Sequence, residues 1–113
     1  MLVLEPDLLF SSRIESVGSK SGLDVKVAVS LNELKQMLNE SVPRMLLVNL
    51  DAVGVRPKSL VGLVQGACRL VGYYSHVDSK LAKEALADGF EMVIPRRAFG
   101  DRLGEIFAAT GSS

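Results

Sequence analysis

The chain is expected to fold as one α/β domain, a parallel sheet of five strands with helices packed on both faces. Three observations predict this. Apolar runs of strand length alternate five times with segments of helical periodicity. The connections between them are short, which places successive elements side by side. The length, 113 residues, suits a single core. Strict βαβαβαβαβα alternation requires right-handed crossovers between parallel strands, and so a three-layer sandwich.

The elements follow in order. Leu2–Leu4 is a short buried strand. Leu9 or Phe10, with Ile14 and Val17, gives the inner side of a helix, and Gly18 and Gly22 bracket its stop. Val25, Val27 and Val29 alternate with Lys26 and Ala28, the mark of a strand with one wet position, as at a sheet edge. Ser30-Leu31-Asn32-Glu33 fits a capping box ahead of a helix with Leu31, Leu34 and Leu38 inward. Pro43 ends that element. Met45–Val48 is apolar throughout, as a strand covered on both faces must be. Asn49, Asp51, Gly54 and Pro57 mark the loop beyond it. Leu60, Leu63, Val64 and Ala67 form the next helical stripe, and Leu70–Tyr74 the fourth strand, in which Tyr73 and Tyr74 face opposite ways. Asp78 can cap a helix bearing Leu81, Ala82, Ala85 and Leu86, with Gly89 at its end. Met92–Ile94 is the fifth strand. Phe99, Leu103, Ile106 and Phe107 line a closing helix. The domain is expected to span residues 1–110, with 111–113 a frayed tail.

Composition narrows the function. Thirteen basic and thirteen acidic residues give a net charge of +0, without the basic excess that nucleic-acid binding demands. A single cysteine, Cys68, forbids a disulfide framework, and a single histidine, His76, forbids a histidine metal cluster. Cys68 reads as a core thiol. No apolar run is long enough to span a bilayer, and the acidic start is unlike a signal peptide. A cytoplasmic location is the expectation.

Sites in parallel sheets lie beyond the carboxyl ends of the strands. The loops there hold Glu5-Pro6-Asp7, Asn49-Leu50-Asp51, Ser75-His76 and Pro95-Arg96-Arg97. In this pattern the chain resembles the receiver domain of bacterial response regulators over nearly its whole length. That family ends its first strand in paired acids, its third in a phosphate-accepting Asp often six residues after a Pro, its fourth in Thr or Ser, and its fifth in Lys. Here Glu5 and Pro6 stand at the acids. Asn49, six residues after Pro43, stands at the acceptor, Ser75 at the hydroxyl, and Arg96 at the lysine. Ala85–Glu91 resembles a further stretch of the family. The resemblance implies a flavodoxin-like (βα)5 sandwich with strand order 2-1-3-4-5, in which the second and fifth strands are edges.

The substitutions change the chemistry. An Asn amide is no nucleophile for phosphoryl transfer. Mg²⁺ requires several hard oxygen ligands, and Glu5 with Asp7 makes a poor cage. Arg96 is a planar fork suited to a carboxylate rather than a point charge for a phosphate. The expected site is therefore a degenerate phosphoacceptor pocket of Glu5, Asp7, Asn49, Asp51, Ser75 and Arg96, with no metal and no cofactor. Glu5 and Arg96 could form a buried ion pair or two solvated side chains; Asp7 and Asp51 are further partners for Arg96.

The reading that results is a stand-alone pseudo-receiver, not an enzyme, acting through a protein partner or a homodimer. One alternative is a working regulator phosphorylated on Asp51 with Mg²⁺. Another is a flavin or nucleotide binder, although Pro6-Asp7-Leu8-Leu9 cradles no phosphate and Gly54, Gly62, Gly66 and Gly72 form no glycine-rich loop. By the same resemblance, the partner surface falls on the fourth helix, fifth strand and fifth helix, with Lys80, Lys83, Arg97 and Arg102 as its cations. No nucleic-acid or membrane partner is expected.

Overall fold

The computed structural model describes residues 1–52, 56–64, 68–75, 80–98, 102, 104 and 105. Strands β1 (Leu2–Leu4), β2 (Lys26–Ala28), β3 (Met45–Asn49), β4 (Arg69–Tyr74) and β5 (Met92–Pro95) alternate with helices α1 (Leu8–Lys20), α2 (Leu31–Glu40), α3 (Pro57–Val64) and α4 (Lys80–Asp88). All strand pairs are parallel and the order is β2-β1-β3-β4-β5. This is the flavodoxin-like order, with β2 and β5 at the edges. Residues 96–98, 102, 104 and 105 are helical. The expectations for Phe99, Leu103, Ile106, Phe107, His76, Asp78 and the 111–113 tail lie outside the described residues.

The apolar alternation of the strands divides the core in two. Leu2, Leu4, Leu46, Val48 and Leu70 face a layer supplied by α2, α3 and α4, through Leu34, Leu38, Leu60, Val64 and Ala85. Val3, Met45, Leu47, Val71 and Tyr73 face the other side, where α1 contributes Phe10 and Ile14. The continuous apolar run of β3 thus has a partner for every side chain. Each such buried leucine or valine contributes on the order of 1.5–3 kcal/mol.

Local chemistry sets the helix ends. Asp7 caps α1, its carboxylate accepting from the N–H groups of Leu9 (2.9 Å) and Phe10 (3.4 Å). Ser30 caps α2 by accepting from the Glu33 N–H at 3.2 Å. The α1 helix runs through buried Gly18 to Lys20, so Gly18 and Gly22 stand on either side of its stop, as expected. It closes at Gly22, whose φ of +78° lets the Leu23 N–H reach the Gly18 carbonyl. Pro57, expected in a loop, opens α3, where its missing N–H costs nothing. Between the two candidates for the inner side of α1, Phe10 is buried and Leu9 is 86% exposed. Leu63 and Leu86, expected inward, are 38% and 55% exposed, because the α3 and α4 stripes are narrower than their apolar content. The β2 edge strand keeps Lys26 wet and buries Ala28 against the core.

At the carboxyl end of β3 the ladder continues for one residue, the Leu50 N–H donating to the Tyr73 carbonyl at 2.9 Å. Leu50 is fully buried over Gly72 of β4. A Cβ built on Gly72 would stand 2.8 Å from Leu50 Cδ1, so this strand position is restricted to glycine while Leu50 keeps its place.

Candidate functional site

The parallel strands deliver the predicted residues to one edge of the sheet. Glu5 follows β1, Asn49 ends β3, Ser75 follows β4 and Arg96 follows β5. Asp7 and Asp51 lie two residues beyond Glu5 and Asn49.

Glu5 is the centre. It is fully buried, and each oxygen is satisfied. Oε2 accepts from the Asn49 side-chain amide at 2.9 Å and from the Asp7 backbone N–H at 3.1 Å. Oε1 accepts from the Tyr73 hydroxyl at 3.0 Å. A buried carboxylate is costly unless hydrogen-bonded, and three donors meet that requirement without a countercharge. The Tyr73 phenol is held well above its ordinary pKa, first by burial and then by the Glu5 charge, so it acts as a donor throughout the physiological range.

Asn49 also looks outward. Its Oδ1 accepts from the Asp51 N–H at 3.0 Å, turning the chain at the end of β3. The Asp51 carboxylate then accepts from the Ser75 N–H at 2.6 Å, joining the loop after β3 to the end of β4. It is the backbone of Ser75, an exposed residue, that enters the site here.

Arg96 does not meet Glu5. The expected buried pair is replaced by an ion pair with Asp7, Nη2 to Oδ2 at 3.2 Å, in which both side chains are partly exposed. The reason is that Glu5 is already saturated by neutral donors, whereas Asp7 sits at the rim with an oxygen free. The guanidinium lies 4.1 Å over the Phe10 ring, which in turn packs on Tyr73 with ring centroids 5.5 Å apart. Arg96 and the N–H groups of Phe10 and Leu9 hold the Asp7 carboxyl below its usual range.

Tyr73 and Phe10 are site residues that the sequence pattern marked only as core or strand positions. The available signal was period two in β4: the same alternation that buries Val71 puts Tyr73 beside Glu5. Among the described residues no group of three His, Cys, Asp or Glu could hold a metal ion, and no helix is long and apolar enough to cross a membrane. Cys68 lies apart from the site, buried at the start of β4, and burial pushes its thiol up to about 11.

No family model matches the sequence, and no curated protein does. Solved structures do. The receiver domain of NtrX from Brucella abortus matches with a TM-score of 0.83 at 16% identity, over 99% of this chain and 98% of that one. The chain has the receiver-domain fold. A response regulator from Thermotoga maritima shares the receiver fold with a TM-score of 0.78 at 16% identity, covering 99% of this chain and 96% of that one. NtrX from Brucella abortus in complex with ADP matches with a TM-score of 0.82 at 16% identity, over 96% of this chain. The match covers 26% of that chain, so this chain spans about a quarter of that protein's length. At such identities the likeness establishes architecture, and function rests on the site itself.

Of the expected partner surface, Lys80 and Lys83 are exposed on α4, and Arg97 is exposed after β5. Arg102 is partly buried and lies 3.5 Å from Glu105. Among the described residues β5 is an edge strand, with no further strand paired on one side of its backbone.

Proposed function

We propose that this chain is a receiver-fold signalling module that works by binding a protein, or a second copy of itself, and carries no phosphoryl group. The observation behind this is the Asn49 amide donating to Glu5 at 2.9 Å. A phosphoacceptor must be a carboxylate oxygen free to attack, and Asn49 offers a delocalised amide already bonded at both ends.

The residues also do not fit Mg²⁺. A hard cation needs several converging oxygens with free lone pairs. Glu5 is fully buried and ringed by donors, the Pro6 side chain has no ligand atom, and Asp7 is engaged with Arg96 and the α1 N–H groups. A cation would have to displace the Asn49 amide and the Tyr73 hydroxyl to reach Glu5. The alternative acceptor, Asp51, is bonded to the Ser75 N–H.

The partner-facing part of the proposal uses α4, β5 and the residues after it. Lys80, Lys83 and Arg97 present positive charge there beside an open strand edge. With Asp88 and Glu105 interspersed, the mixed charge suits a docking contact steered electrostatically.

Incubation with acetyl phosphate and Mg²⁺ followed by intact-mass spectrometry tests the central claim. The expected mass is unchanged. A labile phosphoryl adduct that disappears in Asp51→Ala overturns it in favour of a working regulator. For the surface, light scattering across concentration and salt distinguishes a self-contact from a contact with another protein. Charge reversal at Arg97 and Arg102 is expected to weaken either contact and leave the fold intact.

A further inference from the structure

The bonds at the carboxyl edge run as one series through β4, β1 and β3 and back to β4. Tyr73 donates to Glu5, Asn49 donates to Glu5, the Asp51 N–H donates to Asn49, and the Ser75 N–H donates to Asp51. The first bond is buried, the middle two are part-buried and the last is exposed. Resting on the reading above, we infer that the Ser75 backbone N–H is an anion-binding donor that the chain fills with its own Asp51 carboxylate. This ties the loop after β3 to the exit of β4 without phosphate or metal.

Three features make the internal ligand effective. The bond is charge-assisted, a carboxylate oxygen on a backbone N–H at 2.6 Å, the stronger class of hydrogen bond. Asp51 is aimed in advance, since Asn49 holds its N–H, Glu5 holds Asn49, and Glu5 is fixed by Tyr73 and the Asp7 N–H. Little ordering remains to be lost when the bond forms, so it outcompetes an anion arriving from solution. An external phosphate at Ser75 would also have to displace a negative group and then sit beside it.

The consequence reaches α4. Ser75 is where the chain leaves β4 on its way to Lys80, the first residue of the helix that carries Lys80 and Lys83. Asp51 is thus a positioning residue for the proposed partner surface. It holds the exit of β4 at Ser75 permanently, where a transient anion would do so only while bound.

Amide hydrogen exchange and NMR shifts of the full chain test this, with wild type, Asp51→Ala and Asp51→Asn compared. In Asp51→Ala the Ser75 amide is expected to exchange roughly ten-fold faster, and amide shifts in α4 to move. In Asp51→Asn the side-chain carbonyl still accepts, so the rate falls between the other two. A loop loosened in general would respond alike to both variants. Ser75 exchange equal to wild type in Asp51→Ala, or equal in the two variants, overturns the inference. So does a saturable shift of the wild-type Ser75 amide with millimolar orthophosphate. A phosphoryl adduct on wild-type Asp51 would instead refute the proposed function, and the two failures are therefore read in separate experiments.

Discussion

The inner and outer halves of the pocket solve the same problem with opposite chemistry. Inside, one fully buried carboxylate is held by an amide, a phenol and a backbone N–H, in one buried and two part-buried bonds. Outside, Asp7 and Arg96 meet as an ion pair with 46% and 34% of their side chains exposed. The contrast shows where the specificity lies. Each donor to Glu5 lost leaves a buried acceptor wanting, whereas the outer pair loses little that water cannot replace.

Breaking the inner half is expected to have the largest effect. Glu5→Ala orphans three donors, two of them on buried or half-buried side chains, and should cost about 3–5 kcal/mol of stability in urea unfolding. Glu5→Gln sharpens the point. Its carbonyl can still accept from Asn49 and Asp7, and its amide can donate to the Tyr73 oxygen, so most of that loss should be recovered.

Asn49→Asp comes next, at about 2–4 kcal/mol, because it sets a second carboxylate against Glu5 in place of a donor. The variant should be stabilised by Mg²⁺ in thermal unfolding, since two acids now face one another, while wild type should not respond. It should still fail to gain efficient phosphorylation, with Pro6 and Arg96 unchanged.

Tyr73→Phe removes one donor and no volume of consequence, and about 1–2 kcal/mol is expected. Arg96→Met, at the outer half, should give the smallest shift of the series, reduced further by salt. Its clearer signature is in acid. The folded-state pKa of Asp7 lies below its ordinary value, so the group stabilises the fold at pH values above that ordinary value, near 4. That stabilisation is lost as pH falls through the lowered pKa. Without Arg96 the Asp7 titration, followed by NMR, should move back up.

The sequence made the architecture legible because β3 and the helical stripes carry strong periodicity. The alternating valines placed β2 at an edge, and the strand ends placed Glu5, Asn49, Ser75 and Arg96 together. What it could not settle was which of several acids Arg96 would choose. That choice depends on Glu5 being already satisfied, which requires knowing that Tyr73 turns towards it, a packing fact rather than a pattern. Pro57 was misplaced for a related reason. It is a punctuation residue by type, yet a proline fits a first helical turn.

Gly72 contributes no polar side chain to the pocket and no atom to its bonds, yet its emptiness steers them. Leu50 fills the space where a side chain would stand on β4, and Leu50 is the residue between Asn49 and Asp51. A single methyl at position 72 would force the buried Leu50 side chain to shift, and Leu50 stands between the two residues that carry the site's bonds. A selection scored on partner binding would therefore rank this silent strand position among the contact residues. The site is thus set in part by a vacancy in the neighbouring strand, held open by an amino acid with nothing to offer chemically.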